Sequence, residues 1–339
     1  MEPLVSVIIP VYNVFPYIRE ALDSVLHQTY QHLEIIIIDD GSDDGSGTIC
    51  DEYRSDKRVV VIHQENRGLS GARNTGLDRM TGDYVAFLDP DDAYQPEMIR
   101  KMLDAVMETG AELGTCGFDI LETDGRMSEA RRKERILPEK EQILTPQEAF
   151  EALAETRLIL SVWSKLYRAE LWKETRFPKG CVYEDLAVLP YILEKCGRIA
   201  VIRQPLILYR QRKGSITRTN SVRNTQDYLA AYRAVGDYLE RKVPPLPEGV
   251  PLIYQETMLR KLILWWAEIR RGKTDEDREA SGLLEMEIQR NAERGIQNRR
   301  MKSKIVWGLY RHCPSLLLPA RACFCVLKKG LREDRDIVA

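Results

Sequence analysis

The sequence has no uninterrupted apolar run near the roughly 18–20 residues that cross a bilayer, so no segment reads as a membrane span. It also lacks an excess of either charge. Its 50 Lys and Arg stand against 52 Asp and Glu, a formal net charge of −2, which argues against a nucleic-acid binder. Only seven cysteines occur in 339 residues, none in a C-x-x-C pair, so neither a disulfide framework nor a zinc site is expected. Cys323-Phe-Cys325 is the one close spacing, and it reads as small buried side chains rather than ligands. No basic stretch precedes the first apolar run, so no signal peptide is expected and the chain is placed in the cytoplasm with reduced thiols. G-x-G-x-x-G is missing after the first strand-like run and G-x-x-x-x-G-K-[ST] is missing throughout. Dinucleotide dehydrogenases and P-loop NTPases are thereby disfavoured. There is no internal repeat, and the four histidines (His27, His32, His63, His312) have no ligand spacing and are assigned no chemistry.

What is present is an α/β pattern. With 44% hydrophobic and 30% charged residues, the composition is that of a globular protein, long enough for about two domains. Apolar β-branched runs at 4–9, 33–38, 58–64 and 84–88 predict strands, and helical spacing between them predicts the crossovers of a mostly parallel sheet. A helix over 96–109 and a strand over 111–120 follow. Residues 122–142 are charged and read as a mobile surface loop. Helices are expected over 146–155 and after 184, a helix over 72–79 follows a turn at 66–71, and Pro205 marks 199–209 as an edge or return strand. From about 222 the periodicity is helical, with a domain boundary near 218.

The densest chemistry lies in DYVAFLDPDD (83–92). A short buried strand runs into Asp89, Asp91 and Asp92, with Pro90 stopping the strand. Carboxylates this close repel unless cations or donors compensate. At the C-terminal edge of an α/β sheet such hard oxygens suit Mg²⁺ or Mn²⁺ shared with substrate phosphates. Asp40-Gly41-Ser42 ends the second strand, where a carboxylate can accept from a base N–H or cap the next helix. An EF-hand-like spacing from Asp40 to Asp51 is set aside because a strand, not a helix, precedes it. Gly68, Gly71 and Gly76 permit close backbone approach to a ligand or to the next element. Arg73 offers a planar fork for phosphate or sits in a surface pair. Glu184-Asp185 precede a helix, as a catalytic pair or as favourable N-terminal charges. Trp163, Tyr167 and Trp172 read as an acceptor groove or as core.

Taken together, VSVIIPVYN (5–13), SVLHQTY (24–30), LEIIIIDDGSDDGS (33–46), NRGLSGARNTGL (66–77) and GDYVAFLDPDD (82–92) resemble the family 2 glycosyltransferases of the GT-A fold. The likeness is strong to about residue 120, continues through VWSKLY (162–167), YED (183–185) and RKGSIT (212–217), and ends there. It implies a Rossmann-like α/β domain, mostly parallel with flanking helices, over 1–217, and a helical C-terminal region over 218–339. It implies an inverting, metal-dependent transfer of a hexose or N-acetylhexosamine from a nucleotide-sugar donor, UDP-linked, to a glycan or lipid-linked acceptor in surface-polysaccharide assembly. By the same resemblance Asp40 reads the uracil imide, with Pro10, Tyr12 and Asn13 walling base and ribose. Gly71 and Arg73 belong to the donor site. Asp91 takes Mn²⁺ or Mg²⁺, Asp89 reaches the ribose or the metal shell, and Asp185 is the base, with Glu184 as support or alternate. The rival expectations are a non-catalytic sugar-nucleotide-binding subunit and a sugar-1-phosphate nucleotidyltransferase. The latter would need a glycine-rich basic loop where PVYNVFPY stands.

Between Glu293 and Glu333 the sequence carries ten Lys or Arg and no acid, interleaved with apolar residues. This basic amphipathic tail is expected either to lie on an anionic leaflet, at the inner face of the cell membrane, or to pack as a helix with a solvated basic face.

Overall fold

The computed structural model describes residues 2–317, apart from 124–125, 128–129, 213–220, 243–244, 248 and 294–300. The chain forms two compact units, Met1–Phe150 with Arg157–Ser215, and Glu151–Thr156 with Ile216–Ala339. The boundary expected near 218 falls outside the described residues.

The first unit is built on the hydrophobic runs. Its elements are β1 (Val5–Val11), α1 (Ile18–Leu26), β2 (Leu33–Asp39), α2 (Ser46–Glu52), β3 (Val59–His63), α3 (Gly68–Arg79), β4 (Tyr84–Phe87), β5 (Ala93–Tyr94), α4 (Met98–Thr109) and β6 (Leu113–Glu122). Then come β7 (Arg131–Ile136), β8 (Gln142–Leu144), α5 (Pro146–Ala154), β9 (Lys165–Arg168), α6 (Glu184–Lys195) and β10 (Ile199–Gln211). The sheet order is β3-β2-β1-β4-β9-β6-β10-β5, with β7 on β6 and β8 on β10. All seven residues of β1 are buried, as a central parallel strand covered on both faces requires. β1 pairs in parallel with β2 on one side and β4 on the other. The order therefore reverses between β1 and β4, and ligands bind at such a switch point. Pairing of β1 with β4 stops at Ile8↔Phe87, so Pro10 sits where the two strands part.

The parallel core is confined to β1–β4, β6 and β10; β9 enters antiparallel between β4 and β6, so the sheet as a whole is mixed. Three local expectations change. α3 starts at Gly68 rather than 72, because Gly68, at φ +74°, makes the left-handed turn that begins it. Residues 122–142 are not all loop: β7 pairs antiparallel with β6, its exposed charged residues being the solvent side of a ladder. β10 is no edge strand, since β6 flanks it on one side and β5 and β8 on the other; Pro205 is accommodated at a register shift.

Trp163, Tyr167 and Trp172 are core rather than groove. Tyr167 and Trp172 are fully buried, and Trp172 packs edge-on against Phe87 at 5.2 Å and tilted on Phe177 at 4.9 Å. Trp163 stacks on Tyr209 at 5.5 Å. α3 lies flush on β1 because Gly76 has no side chain: a Cβ there would stand 2.4 Å from Ile8 Cγ2. Gly76→Ala is expected to cost about 1–3 kcal/mol by overpacking. Urea unfolding midpoints check this, and an unchanged midpoint would mean that the helix can lift freely off the strand.

In the second unit, α7 (Val222–Arg241), α8 (Gly249–Ile269) and α9 (Asp275–Glu293) pack together, and α10 (Met301–His312) packs on α8. The Ser221 hydroxyl caps α7 by accepting from Asn224 N at 3.0 Å. Inside, Tyr232 donates to Asn291 Oδ1 at 2.7 Å, and Tyr254 donates to the Tyr232 carbonyl at 3.1 Å. Among the described residues, no helix is long and apolar enough to cross a membrane. The basic tail lies largely outside the described residues, as do Cys323, Cys325 and most of RKGSIT.

Candidate active site

Parallel strands that begin together also end together, so the C-terminal ends of β1, β2, β3 and β4 bring Pro10–Asn13, Asp39–Ser42, His63 and Asp89–Asp92 to one edge. The loop after β1 is stitched to the loop after β2. Asn13 N donates to Ser42 Oγ at 3.2 Å, Asp43 N to Asn13 Oδ1 at 3.0 Å, and Val14 N to Ser46 Oγ at 3.0 Å. Asn13 holds φ +50°, a conformation asparagine tolerates better than most residues, while Tyr12 stands half exposed beside it.

Asp40 is buried at the root of this double loop. Its Oδ1 accepts from Gln64 Nε2 at 2.6 Å and from Arg67 N at 2.9 Å. No described residue donates to its Oδ2, which leaves one acceptor open. Neither Asp39 nor Asp40 caps α2. Its cap residue is Gly45, and Asp44, one residue earlier, accepts from Ser46 N at 2.9 Å. Gly71 lies within α3, where a Cβ would stand 2.5 Å from Arg67 Cβ, a close approach that only glycine allows.

Arg73 differs most from its expectation. It is neither a surface residue nor a free phosphate fork, being 2% exposed with both terminal nitrogens committed. Nη2 donates to Asp89 Oδ1 at 2.6 Å, Nη1 donates to Glu184 Oε1, and the guanidinium lies 5.4 Å from the Phe177 ring centroid. Burial opposes its charge, but Asp89 and Glu184 more than compensate and hold it protonated. One arginine thus joins the acidic loop after β4 to the start of α6, whose Glu184 lies 111 positions from Arg73 in the chain.

Arg210 near the end of β10 and Arg212 just past the strand both reach the acidic loop. Arg212 Nε donates to Asp91 Oδ2 at 2.7 Å. Arg210 donates through N to Asp92 Oδ1 at 2.8 Å, through Nε to the Asp91 carbonyl at 2.9 Å, and through Nη2 to Glu20 Oε2 at 2.5 Å. Tyr17 offers its ring to both guanidiniums, at 4.7 and 5.2 Å. Burial and the Asp89 charge raise the Asp91 carboxyl against the pull of Arg212. Burial, then Asp91 and Asp89, raise Asp92 well above the usual carboxylate range, and its Oδ2 is buried without a partner.

Asp185 is the second residue of α6, entered through Tyr183 at φ +67°. Its Oδ1 accepts from Leu186 N at 2.7 Å. Burial and the Glu184 charge push its carboxyl up to about 7, with Arg73 and Lys165 pulling the other way. Lys165 is itself fully buried, donating to the Ile159 and Ser161 carbonyls at 2.5 Å each, and burial draws its ammonium down to about 7. Arg210, Glu20, Tyr17 and Lys165 carry no motif signal of their own in the sequence, and His63, without ligand spacing along the chain, meets Asp39 only through the fold.

This arrangement, carboxylates massed where an α/β sheet reverses, is that of the GT-A class, and solved structures agree on the fold. S. aureus TarS 1–349 in complex with UDP-GlcNAc superposes with a TM-score of 0.70 at 21% identity, covering 98% of this chain and 94% of that one. The mannosyltransferase PcManGT from Pyrobaculum calidifontis, in complex with GDP-Man and Mn²⁺, gives 0.57 at 16% identity over 98% of this chain and 89% of its own.

The chain belongs to glycosyl transferase family 2. Residues 6–171 match that family's profile. Glycosyltransferase GlyG of Streptococcus pneumoniae is 35% identical over 225 residues, 65% of this chain and 74% of GlyG. Glycosyltransferase GlyA of the same organism is 38% identical over 228 residues, 64% of this chain but 32% of GlyA, so this chain spans about a third of that relative's length.

Proposed function

We propose that this protein transfers a sugar, with inversion, from a UDP-sugar to a hydroxyl of a growing or lipid-linked glycan in surface-polysaccharide assembly. The observation that carries the reading is Arg73, which fixes the carboxylate that meets the donor (Asp89) and the pair that meets the acceptor (Glu184-Asp185) to one guanidinium. A displacement reaction needs donor phosphate and acceptor base on opposite sides of one anomeric carbon, and a shared rigid tether supplies that constraint. The open Oδ2 of Asp40 suits a uracil imide N–H, with Pro10, Tyr12 and Asn13 alongside. A UDP-GlcNAc complex of a like fold supports a uridine donor.

The residues fit a divalent cation. Asp91 and Asp89 present hard oxygens, and the buried Oδ2 of Asp92 beside them has no hydrogen-bond partner. Among the described residues no three His, Cys, Asp or Glu side chains form a ready-made cage, and Mg²⁺ or Mn²⁺ sites completed by substrate phosphates need only one or two carboxylates. Once bound, the metal would offset charge developing on the departing diphosphate. Asp185 accepts the proton of the acceptor hydroxyl as its oxygen bonds to the anomeric carbon. The bond from that carbon to the diphosphate breaks, and its electron pair leaves with UDP. The basic tail after Glu293 supports a peripheral membrane contact, where a lipid-linked acceptor would be met.

Ligand-induced stabilisation tests the reading. UDP-sugars are expected to raise the unfolding temperature in the presence of Mn²⁺, corresponding to about 2.7 kcal/mol at 100 Kd. Asp91→Ala should lose the Mn²⁺-dependent part. If Asp91→Ala binds UDP and turns over like the parent, with chelator making no difference, metal dependence is wrong.

A further inference from the structure

His63, at the end of β3, lies between two carboxylates. Its Nδ1 is 2.8 Å from Asp39 Oδ2 on β2, and its Nε2 is 3.0 Å from Asp51 Oδ1 on α2. A neutral imidazole carries one N–H and must turn a lone pair toward one of these anions; only the imidazolium donates to both. The close fit of α2 is built in, because a Cβ at Gly47 would stand 2.5 Å from Asp39 Oδ2 and 3.6 Å from His63 Cε1. Asp39 is buried, and its other oxygen accepts from Ser42 N at 3.1 Å, closing the Asp39–Ser42 turn. That turn contains Asp40 and receives Asn13. The remaining charged or titratable groups packed here are Arg54, which shares Asp51 Oδ1 at 2.6 Å, and the buried Cys50 of α2.

We propose that His63, as an imidazolium, is a positioning residue that clamps α2 to the end of β2 and so holds the Asp39–Ser42 turn in the shape that receives the nucleobase. This rests on the reading of Asp40 as the base-binding residue. The hydrogen bonds to Asp39 and then Asp51 raise the ring's pKa above its ordinary 6.5. A group raised on folding contributes stability that is complete below its unfolded pKa and is lost as pH climbs through the folded one. The clamp therefore tightens on the acid side and opens on the alkaline side, and nucleotide affinity follows it. Its consequence is a donor site tuned by pH far from the reacting atoms.

The experiment is calorimetric titration with UDP from about pH 6 to about pH 9 on the parent, His63→Gln and Asp51→Asn, with the His63 ring followed by NMR in the ligand-free parent. In the parent, affinity is expected to fall about fivefold or more as the ring deprotonates, the size of an ordinary coupling between sites. His63→Gln should remove that fall, with any residual slope belonging to UDP's own titration. Asp51→Asn, on an exposed side chain, should move the midpoint to lower pH while leaving the fold intact. An affinity in the parent that ignores ring titration, or a His63→Gln protein with the parent's full pH dependence, overturns the clamp and leaves the nucleotide reading standing. Absence of UDP binding at every pH overturns that reading and the clamp with it.

Discussion

Asp185→Asn is expected to reduce turnover by about 10²–10⁴-fold while leaving UDP-sugar binding near that of the parent. The substitution keeps the side chain's volume and an oxygen for Leu186 N, but removes the group that takes the proton. The Asp185 carboxyl, raised to about 7 by burial and by Glu184, is poised where a general base works best near neutrality. The reaction needs the deprotonated form, so kcat should climb with pH through about 7 and level off above it. Folding runs in the opposite sense. A carboxyl with a raised pKa weakens the fold as it ionises, so stability falls between its unfolded pKa and about 7. Asp185→Asn is thus expected to be at least as stable as the parent at alkaline pH and much less active, a separation that simple misfolding cannot produce. Turnover with an acceptor extract and thermal unfolding at pH 8 check the two halves. A variant that keeps a tenth or more of the parent's rate would move the base elsewhere, with Glu184 the next candidate.

Arg73→Met should cost about 3–5 kcal/mol, toward the lower figure because Asp89 keeps 24% of its side-chain surface in solvent. Methionine fills the space but leaves Asp89 and Glu184 without their shared cation, and Glu184 is only 7% exposed. Arg73→Lys is expected to recover little. A single ammonium cannot reproduce a fork whose two arms serve carboxylates on opposite sides. Urea unfolding measures the loss, and a cost below about 1 kcal/mol would show that the bridge carries little. UDP binding and turnover should part company here as well. The nucleobase end rests on Asp40, Gln64 and Arg67 N, remote in their hydrogen bonds from Arg73, so turnover should suffer more than affinity.

Local physics fixes what neighbouring residues can settle. The apolar run VSVII has to be a buried strand, and Pro90 cannot continue one. Elsewhere a long-range partner set the outcome. The charged stretch RRKERI became β7 because the rim of β6 was there to receive it, and β10 took Pro205 into an interior position because a register shift absorbed the missing donor. Trp163, Tyr167 and Trp172 could not be divided between groove and core until the aromatic rings of Phe87, Phe118 and Phe177 arrived around them.

By itself, the sequence determined the family, the strand–helix alternation and the residue types at the strand ends, because periodicity and short motifs are written in neighbouring positions. Which carboxylate meets which arginine was decided only by the fold. Arg73 with Asp89 and Glu184, Arg212 with Asp91 and His63 with Asp39 are pairings across 16 to more than 100 residues, and hydrogen-bond geometry at that separation depends on the packed sheet that brings the ends together.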